Sequence, residues 1–557
     1  MTRAPVPDEP QVIPPPSDGS SEGTRGDPKR QALDSSAMSD ERPGAIHSLW
    51  LAMRSWRTGS VALLSFSSGL PLGLVWIAIP DWMRDIGVDI RWVGLLTLAQ
   101  APWTLKFAWA PLMDRFSPGF WGRRRGWAAV TQVALLVATL GLSGVGSHPE
   151  AIWVVFAFSL AIALAAASQD IAVDAYAVEV LRPEEQGPAV GARMALYRVA
   201  MWLSGATAIY VASKVSWSFT VALLGLCYAP MLIVSGKAPE PESPPQPPRT
   251  LREAVWLPFL EAMSRHRALE ILAFVVLYKL ADNLSQSLLR PFLNDMGYDA
   301  FDRGLVLGTG GVVMTIAGTF LGGLACTAIG VGHSLWLFGA LQIFSNVGYV
   351  AITYFPGNRP LYYGALSFEM ITTGLGMGAF GVMLLRMTRR RFSATQYALF
   401  SSLFGLPRIL AGPVTGFVVH AAGWRFFFYL TMVAGIPGLL LLQRFSPLGL
   451  RDPDLQLEEA RVGPPLTTRQ IAWRGVIGGV VGIVLCAAIA ACLDAMRAVR
   501  SGTAEGFDPG PALRALANPA DAGDWVTLAT LLVLGLVAGL ATAAVVAARH
   551  GAGRALD

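Results

Sequence analysis

The chain has 557 residues, of which 53% are hydrophobic and only 15% charged, and its mean hydropathy is +0.48; soluble domains carry roughly a quarter charged residues. Its net charge of +5 does not read as a nucleic-acid surface, because the arginines cluster in loops between apolar runs, where they act as topology signals. The four cysteines (Cys227, Cys326, Cys486 and Cys492) sit inside apolar runs without metal-ligand spacing and read as small packing residues.

In chain order, residues 1–47 are rich in Pro, Ser, Gly, Asp and Arg and carry no apolar period, which predicts a disordered cytoplasmic tail without a secretory signal. Apolar runs long enough to cross about 30 Å of hydrocarbon as helices then follow. With no water to satisfy exposed backbone, many such runs mean a helical bundle. Six spans are predicted near 60–80, 92–113, 126–146, 151–179, 189–212 and 217–235, making a first half over 48–236. A polar, proline-rich linker covers 237–267 and includes the run Pro239–Pro248. Spans 7–12 lie near 268–289, 304–328, 333–355, 361–385, 395–419 and 424–443, a second half over 268–445. A second linker (446–470) leads to spans 13 and 14, near 471–493 and 524–548, in a two-helix extension over 471–557. The expectation is an all-α integral membrane protein of about fourteen transmembrane helices.

Arginine sets the orientation. The 2–3 loop holds Arg115, Arg123, Arg124 and Arg125, and the 10–11 loop holds Arg386, Arg389, Arg390 and Arg391, whereas Gly146–Glu150 on the opposite side has no Lys or Arg. Positive loops stay inside, so both termini and both linkers are expected in the cytoplasm. A faint duplication relates Tyr197, Arg198 and Gly205 of span 5 to Pro407, Arg408, Gly412 and Gly416 of span 11. Two six-span halves joined by a long linker resemble the major facilitator architecture, which places a substrate cavity between the halves near the midplane.

A charge in the hydrocarbon costs at least about 2.5–3.5 kcal/mol, so each one needs a reason. The candidates are Lys106 in span 2, Asp170 and Asp174 in span 4, Arg193 and Arg198 in span 5, Lys279 and Asp282 in span 7, Glu369 in span 10 and Arg408 in span 11. Asp170 and Asp174 are four apart, on one helix face. Two like charges in a poor dielectric let one of them carry a proton near neutral pH, the requirement for proton coupling. Alternatively Asp174 or Glu179 merely pairs with Arg123–Arg125 to lock the inner gate. Glu369 stands almost alone in its span and is the second candidate proton site. Lys279 and Asp282 can neutralise one another, or form a wet cavity wall with Asn283 and Gln286. Arg198 and Arg408 offer planar forks for carboxylates, or partners for Asp170, Asp174 or a helix end. Gln100 and Gln169 join Lys106, Arg198, Lys279, Asp282, Gln286 and Arg408 as candidate substrate contacts.

The 2–3 loop has the form Asp114-Arg115 followed by Gly122 and Arg123–Arg125, a charge network able to clamp the two halves shut on the inside. The loop Ala328–Gly332 of the second half lacks charges, so the clamp is expected to be one-sided. Three glycines and two prolines in span 11 (Gly405 to Gly416) predict close helix packing, with a bending gate as the alternative.

Residues 106–116 (KFAWAPLMDRF), 122–127 (GRRRGW), 167–175 (ASQDIAVDA), 278–282 (YKLAD) and 391–398 (RFSATQYA), with Gly412 and Pro413, resemble the AmpG-type muropeptide permeases over roughly 48–445. The resemblance implies proton-driven import of anhydromuropeptides from periplasm to cytosol across a bacterial inner membrane, in peptidoglycan recycling. Lys106, Lys279, Arg198 and Arg408 would meet the solute's carboxylates, and Asp170, Asp282 or Glu369 its amine or the proton. Trp76, Trp82, Trp103 and Trp109 would stack on sugars, unless they belong to an interfacial belt or to helix packing. A monomer in the lipid bilayer, with no cofactor beyond the proton gradient, is expected. Ala281, Asn283 and the long N-terminal segment depart from the family pattern. The acetyl-CoA transporters are similar to the same branch, which leaves a CoA thioester or another organic anion as the alternative cargo. The scattered histidines fit no catalytic pattern, which argues against a polytopic enzyme.

Overall fold

The computed structural model describes residues 54–549, except 90–92, 94–95, 146–150, 243–244, 264, 266, 457–465, 501, 503–505 and 520–521. The expected tail and the Gly146–Glu150 loop lie outside the described residues. Residues Ser48–Asp557 form one unit, and the described part is helical. Among the described residues, ten helices are long and apolar enough to cross a membrane, from Trp56–Asp85 to Arg469–Met496. The other four predicted spans are helical in a different form. Span 2 is broken into Ala101–Leu105, a tight turn at Lys106–Ala108, and Ala110–Arg115. Pro102 and Pro111 each begin a new helical piece, where the missing N–H is harmless. Span 7 is broken into Ala268–Leu277, Leu280–Ser287 and Leu289–Asp295. Span 14 lies within Ala522–Arg549.

Spans 11 and 12 are two helices within Ser393–Phe445 that meet at Gly423, where the backbone leaves the helical region with a φ of 79°, accessible to glycine without strain. The first half packs span 1 (Trp56–Gly73) against span 5 (Pro183–Trp202), and span 3 (Arg123–Ser143) against span 4 (Ile152–Val180). The second half packs span 8 (Gly311–Ile329) against span 10 (Arg359–Met387). The halves meet where span 5 crosses span 8. There Gly187 and Gly323 face each other so closely that a methyl group on either would lie 2.3 Å from the other's carbonyl oxygen. Small residues create this approach, as expected for helices packed without a hydrophobic driving force between them.

The first linker holds two things that its polar composition did not predict. Its start is stapled to the first half: Arg125 donates to the carbonyl oxygens of Gly236 and Ala238 and pairs with Glu240, and Tyr176 donates to the Pro239 carbonyl. Its end folds into a helix, Leu251–Met263. The extension packs as a hairpin of Thr468–Arg500 and Ala522–Arg549. Gly475, Gly479, Gly535 and Gly539 bring the two backbones together there.

Candidate functional site

Three groups of buried polar side chains line the seam between the halves or lie within them. The outermost towards the arginine-rich end is the clamp. Asp114, fully buried at the end of span 2, accepts hydrogen bonds from the amide of Thr395 (2.8 Å), its hydroxyl (2.6 Å) and the amide of Ala394 (3.3 Å). A carboxylate from the first half thus caps the N-terminus of span 11 in the second, where orphan N–H groups and the helix dipole favour negative charge. Arg124 ties the group together. It donates to Asp114 (2.5 Å), to Glu179 of span 4 (2.7 Å) and across the seam to the Ser393 hydroxyl (2.7 Å), which itself donates to Glu179 (2.5 Å). Arg123 adds a bond of 2.8 Å to Glu179. With these bonds made, the arginine-rich end is closed.

Two residues expected in this clamp stand elsewhere. Arg115 lies over the ring of Phe116, 5.4 Å from its centroid, because the chain turns outward after the helix end. Arg125 holds the linker instead of the seam. The second half is also less bare than its loop sequence implies. Asp452, from the second linker, pairs with Arg386 (2.5 Å) and accepts from the Val331 amide at the start of span 9 (3.2 Å). The acid is supplied from a remote segment, so the local loop does not reveal it.

The second group lies deeper. Asp174 bonds to Arg193 and to Lys106 (3.4 Å), and all three are buried. Asp170, one turn further into the membrane, feels the charges of Lys106, Asp174 and Arg193. Arg193 also sits over the ring of Tyr397, 5.9 Å away, on span 11 of the opposite half. Asp174 is therefore not the partner of Arg123–Arg125; Glu179 has that place. Arg198 is half-buried further along span 5. Gln169 bonds to Ser67, which also receives Gln132 (3.3 Å), so it ties spans 1, 3 and 4 together. Gln100 is half-buried at the end of the turn Thr97–Gln100.

The third group belongs to the second half. Lys279, at the break in span 7, donates to Asp282 (2.6 Å), to Gln342 (2.5 Å) and to the Thr373 carbonyl (3.2 Å). Thr373 bridges to both Asp282 (3.4 Å) and Glu369 (3.3 Å), and Gln286 reaches Thr373 (3.1 Å) and Glu369 (3.5 Å). Glu369 also accepts from Ser345. The sequence made Glu369 look solitary; Thr373 comes from its own helix, and its other partners come from spans 7 and 9, too far away in sequence to be seen. Arg193, Tyr397, Gln342, Ser345 and Thr373 complete these groups, and only Arg193 carried a signal, its charge. Arg408 lies in span 11, before the break at Gly423, and its side chain is outside the described residues.

With a rise of 1.5 Å per residue, Asp170 lies roughly 15 Å and Glu369 roughly 27 Å from the arginine-rich ends of their helices. The two deep groups therefore sit at different depths, one per half. Among the aromatic residues, Trp82 is fully buried and stacked on Trp217 (5.7 Å), which removes it as a sugar platform. Trp109 donates to Ser168 (3.1 Å). Trp76, 36% exposed, meets Trp103 edge-on (6.1 Å) and keeps a free face. Among the described residues, no cluster of metal-ligating side chains occurs.

Residues 61–412 match the family model of the Major Facilitator Superfamily. The chain is 37% identical over 388 residues to the anhydromuropeptide permease of Escherichia coli K12, which covers 69% of this chain and 79% of the permease. It is 25% identical over 400 residues to a putative transporter AmpG 4 of Rickettsia felis, covering 70% and 96%. Among solved structures, it is similar in fold to a bacterial homologue of the iron transporter ferroportin in an outward-facing state. That likeness has a TM-score of 0.51 at 13% identity and covers 70% of this chain and 99% of that one.

Proposed function

The chain belongs to the Major Facilitator Superfamily, in the family of the anhydromuropeptide permease, and from that premise we propose that it imports anhydromuropeptides across a bacterial inner membrane in symport with protons. It is a multi-pass transporter and not an enzyme. The substrate reading rests on the likeness to the permease. The coupling reading rests on one observation: each half holds a buried lysine set among carboxylates, Lys106 with Asp174 and Lys279 with Asp282.

Such a site can exchange its internal cation–carboxylate bonds for bonds to a solute that carries both an amine and carboxylates. Lys106 and Lys279 would take carboxylates, with Arg198, Arg408, Gln100 and Gln286 as further contacts. Asp170, Asp174 and Glu369 are the proposed proton carriers, and Asp282 the partner of the amine. Gln169 acts by holding span 4 against spans 1 and 3. Asp114, Arg123 and Arg124 form the gate on the inner side. The arginine-rich end faces the cytoplasm, which puts both termini there, and the monomer in the bilayer is the working unit.

The test is uptake of labelled anhydromuropeptide into right-side-out vesicles with and without a proton gradient. Gradient-dependent accumulation is expected, and Asp170→Asn at matched expression abolishes it while leaving exchange down a concentration gradient. Transport of an unrelated anion without muropeptide uptake overturns the substrate. Full accumulation by the Asp170→Asn protein overturns the coupling site.

A further inference from the structure

The linker helix Leu251–Met263 touches three bodies at once. On one side it meets Ala110–Arg115 of span 2, in the first half. On another it meets the start of span 11 and the 10–11 loop, in the second half. Gln396, fully buried, donates to the Pro258 carbonyl (3.2 Å) and accepts from Arg265 (3.1 Å) and from the Arg389 amide (3.0 Å). Proline inside a helix frees a carbonyl one turn back and bends the axis; here the proline's own carbonyl is taken by the gate helix. Two ion pairs add to this contact, Arg389 with Glu261 and Arg391 with Glu253, both at 3.7 Å.

The third body is the C-terminal extension. Trp256 and Leu260 pack into an apolar cluster with Leu466, Ile471, Ala543, Val546 and Ala547. Phe259 and Met263 pack with Val545 of span 14 and Leu399 of span 11. By contrast, the outer face of span 13 is open along most of its length, with Trp473 66% and Val484 60% exposed, as suits a helix facing lipid.

We propose that the two-helix extension is the membrane anchor of a strap: it holds the linker helix across the seam between spans 2 and 11 and so favours closure of the arginine-rich end. The clamp and the strap bridge the same pair of spans, Asp114 from inside the seam and Leu251–Met263 from outside it. Opening that end must part span 2 from span 11, and the linker helix then loses one of the two faces on which it rests. A ligand-free protein whose closed state carries these extra contacts has its equilibrium shifted towards closure by their free energy.

The experiment needs neither the substrate nor a membrane orientation, so it stands or falls apart from the transport reading. The four native cysteines are replaced and Ala398→Cys is introduced in the full chain. Ala398 is 1% exposed and packs in the seam with Ala110 and Met113 of span 2, so its thiol reacts with a maleimide in the purified protein only when that end opens. Trp256→Ala with Leu260→Ala, and separately Val546→Asn, cut the strap from either side. Each is expected to raise the labelling rate about fivefold. Leu536→Ala changes span 14 on a face that is 63% exposed and should keep the parent rate. Labelling within about twofold of the parent in both strap variants overturns the proposal, and so does an equal rise in the Leu536→Ala control, which would report loss of general stability.

Discussion

Asp114 illustrates how a single side chain unites two halves. Its negative charge faces the free amides of Ala394 and Thr395 and the guanidinium of Arg124. Replacing it with asparagine keeps the shape and removes the charge that both partners need. Hydrogen bonds to charged groups contribute about 1.5–3 kcal/mol, against about 1 for neutral ones. Asp114→Asn should therefore weaken the closed end by about 1–2 kcal/mol, seen as faster maleimide labelling of Ala398→Cys. An unchanged rate would mean that Ser393 and Glu179 suffice. That Asp114, Arg123 and Arg124 share one charged group beside the 2–3 loop was legible in the sequence, because charges flanking two apolar runs mark a loop. That the carboxylate caps a helix of the other half was not, since the amides that donate to it lie about 280 positions away. Glu369 teaches the same lesson from the opposite side: a carboxylate with no charged neighbour in sequence has three side chains hydrogen-bonded to it in space.

At the scale of elements, hydropathy located most spans well but missed how some are built. Spans 2 and 7 read as ordinary apolar runs, yet both are broken, and Lys106 and Lys279 sit at the breaks. Hydropathy averages over a window and cannot register a local change of turn. The linker helix was missed for another reason: Pro258 and the proline-rich stretch before it dominate the composition. The crossing of spans 5 and 8 offers a direct test of close approach. A side chain at Gly323 would meet the Gly187 carbonyl at 2.3 Å, and that backbone has no room to yield. Gly323→Val should destabilise the closed form by about 1–3 kcal/mol through overpacking, read as a lower melting temperature in detergent. Gly304→Ala, where an added methyl meets nothing within 4 Å, should not lower it.

For the molecule as a whole, closure is held by the clamp, the glycine crossing and the linker. The start of the linker is fixed by Glu242, an exposed carboxylate that accepts from Arg57 and Arg182, both at 2.6 Å. The Arg182 and Arg57 hydrogen bonds hold its carboxyl below the usual range. A group whose folded value is depressed stabilises at any pH above its unfolded value, and that contribution fades as pH falls through the folded one. Normalised to its rate on an unfolded reference peptide at the same pH, pepsin cleavage of the linker should stay low near about pH 5 and rise below about pH 4, whereas Glu242→Gln should remove that dependence. A normalised rate that is equal at both acidities in the parent would show that the staple does not matter.

The two deep polar groups also differ in their sum of charge. Around Asp174 two cations stand against two carboxylates, whereas Lys279 faces both Asp282 and Glu369. With every group ionised, the second set carries one uncompensated negative charge, and a single proton cancels it. Moving one elementary charge through the membrane field is worth about 2.3 kcal/mol per 100 mV. A voltage negative on the arginine-rich side pushes the proton-free set away from that side and exerts no net force on the protonated one. In the proton symport proposed above, the resting voltage would then help the empty carrier to reset outward, leaving the inward stroke to the cargo and its proton.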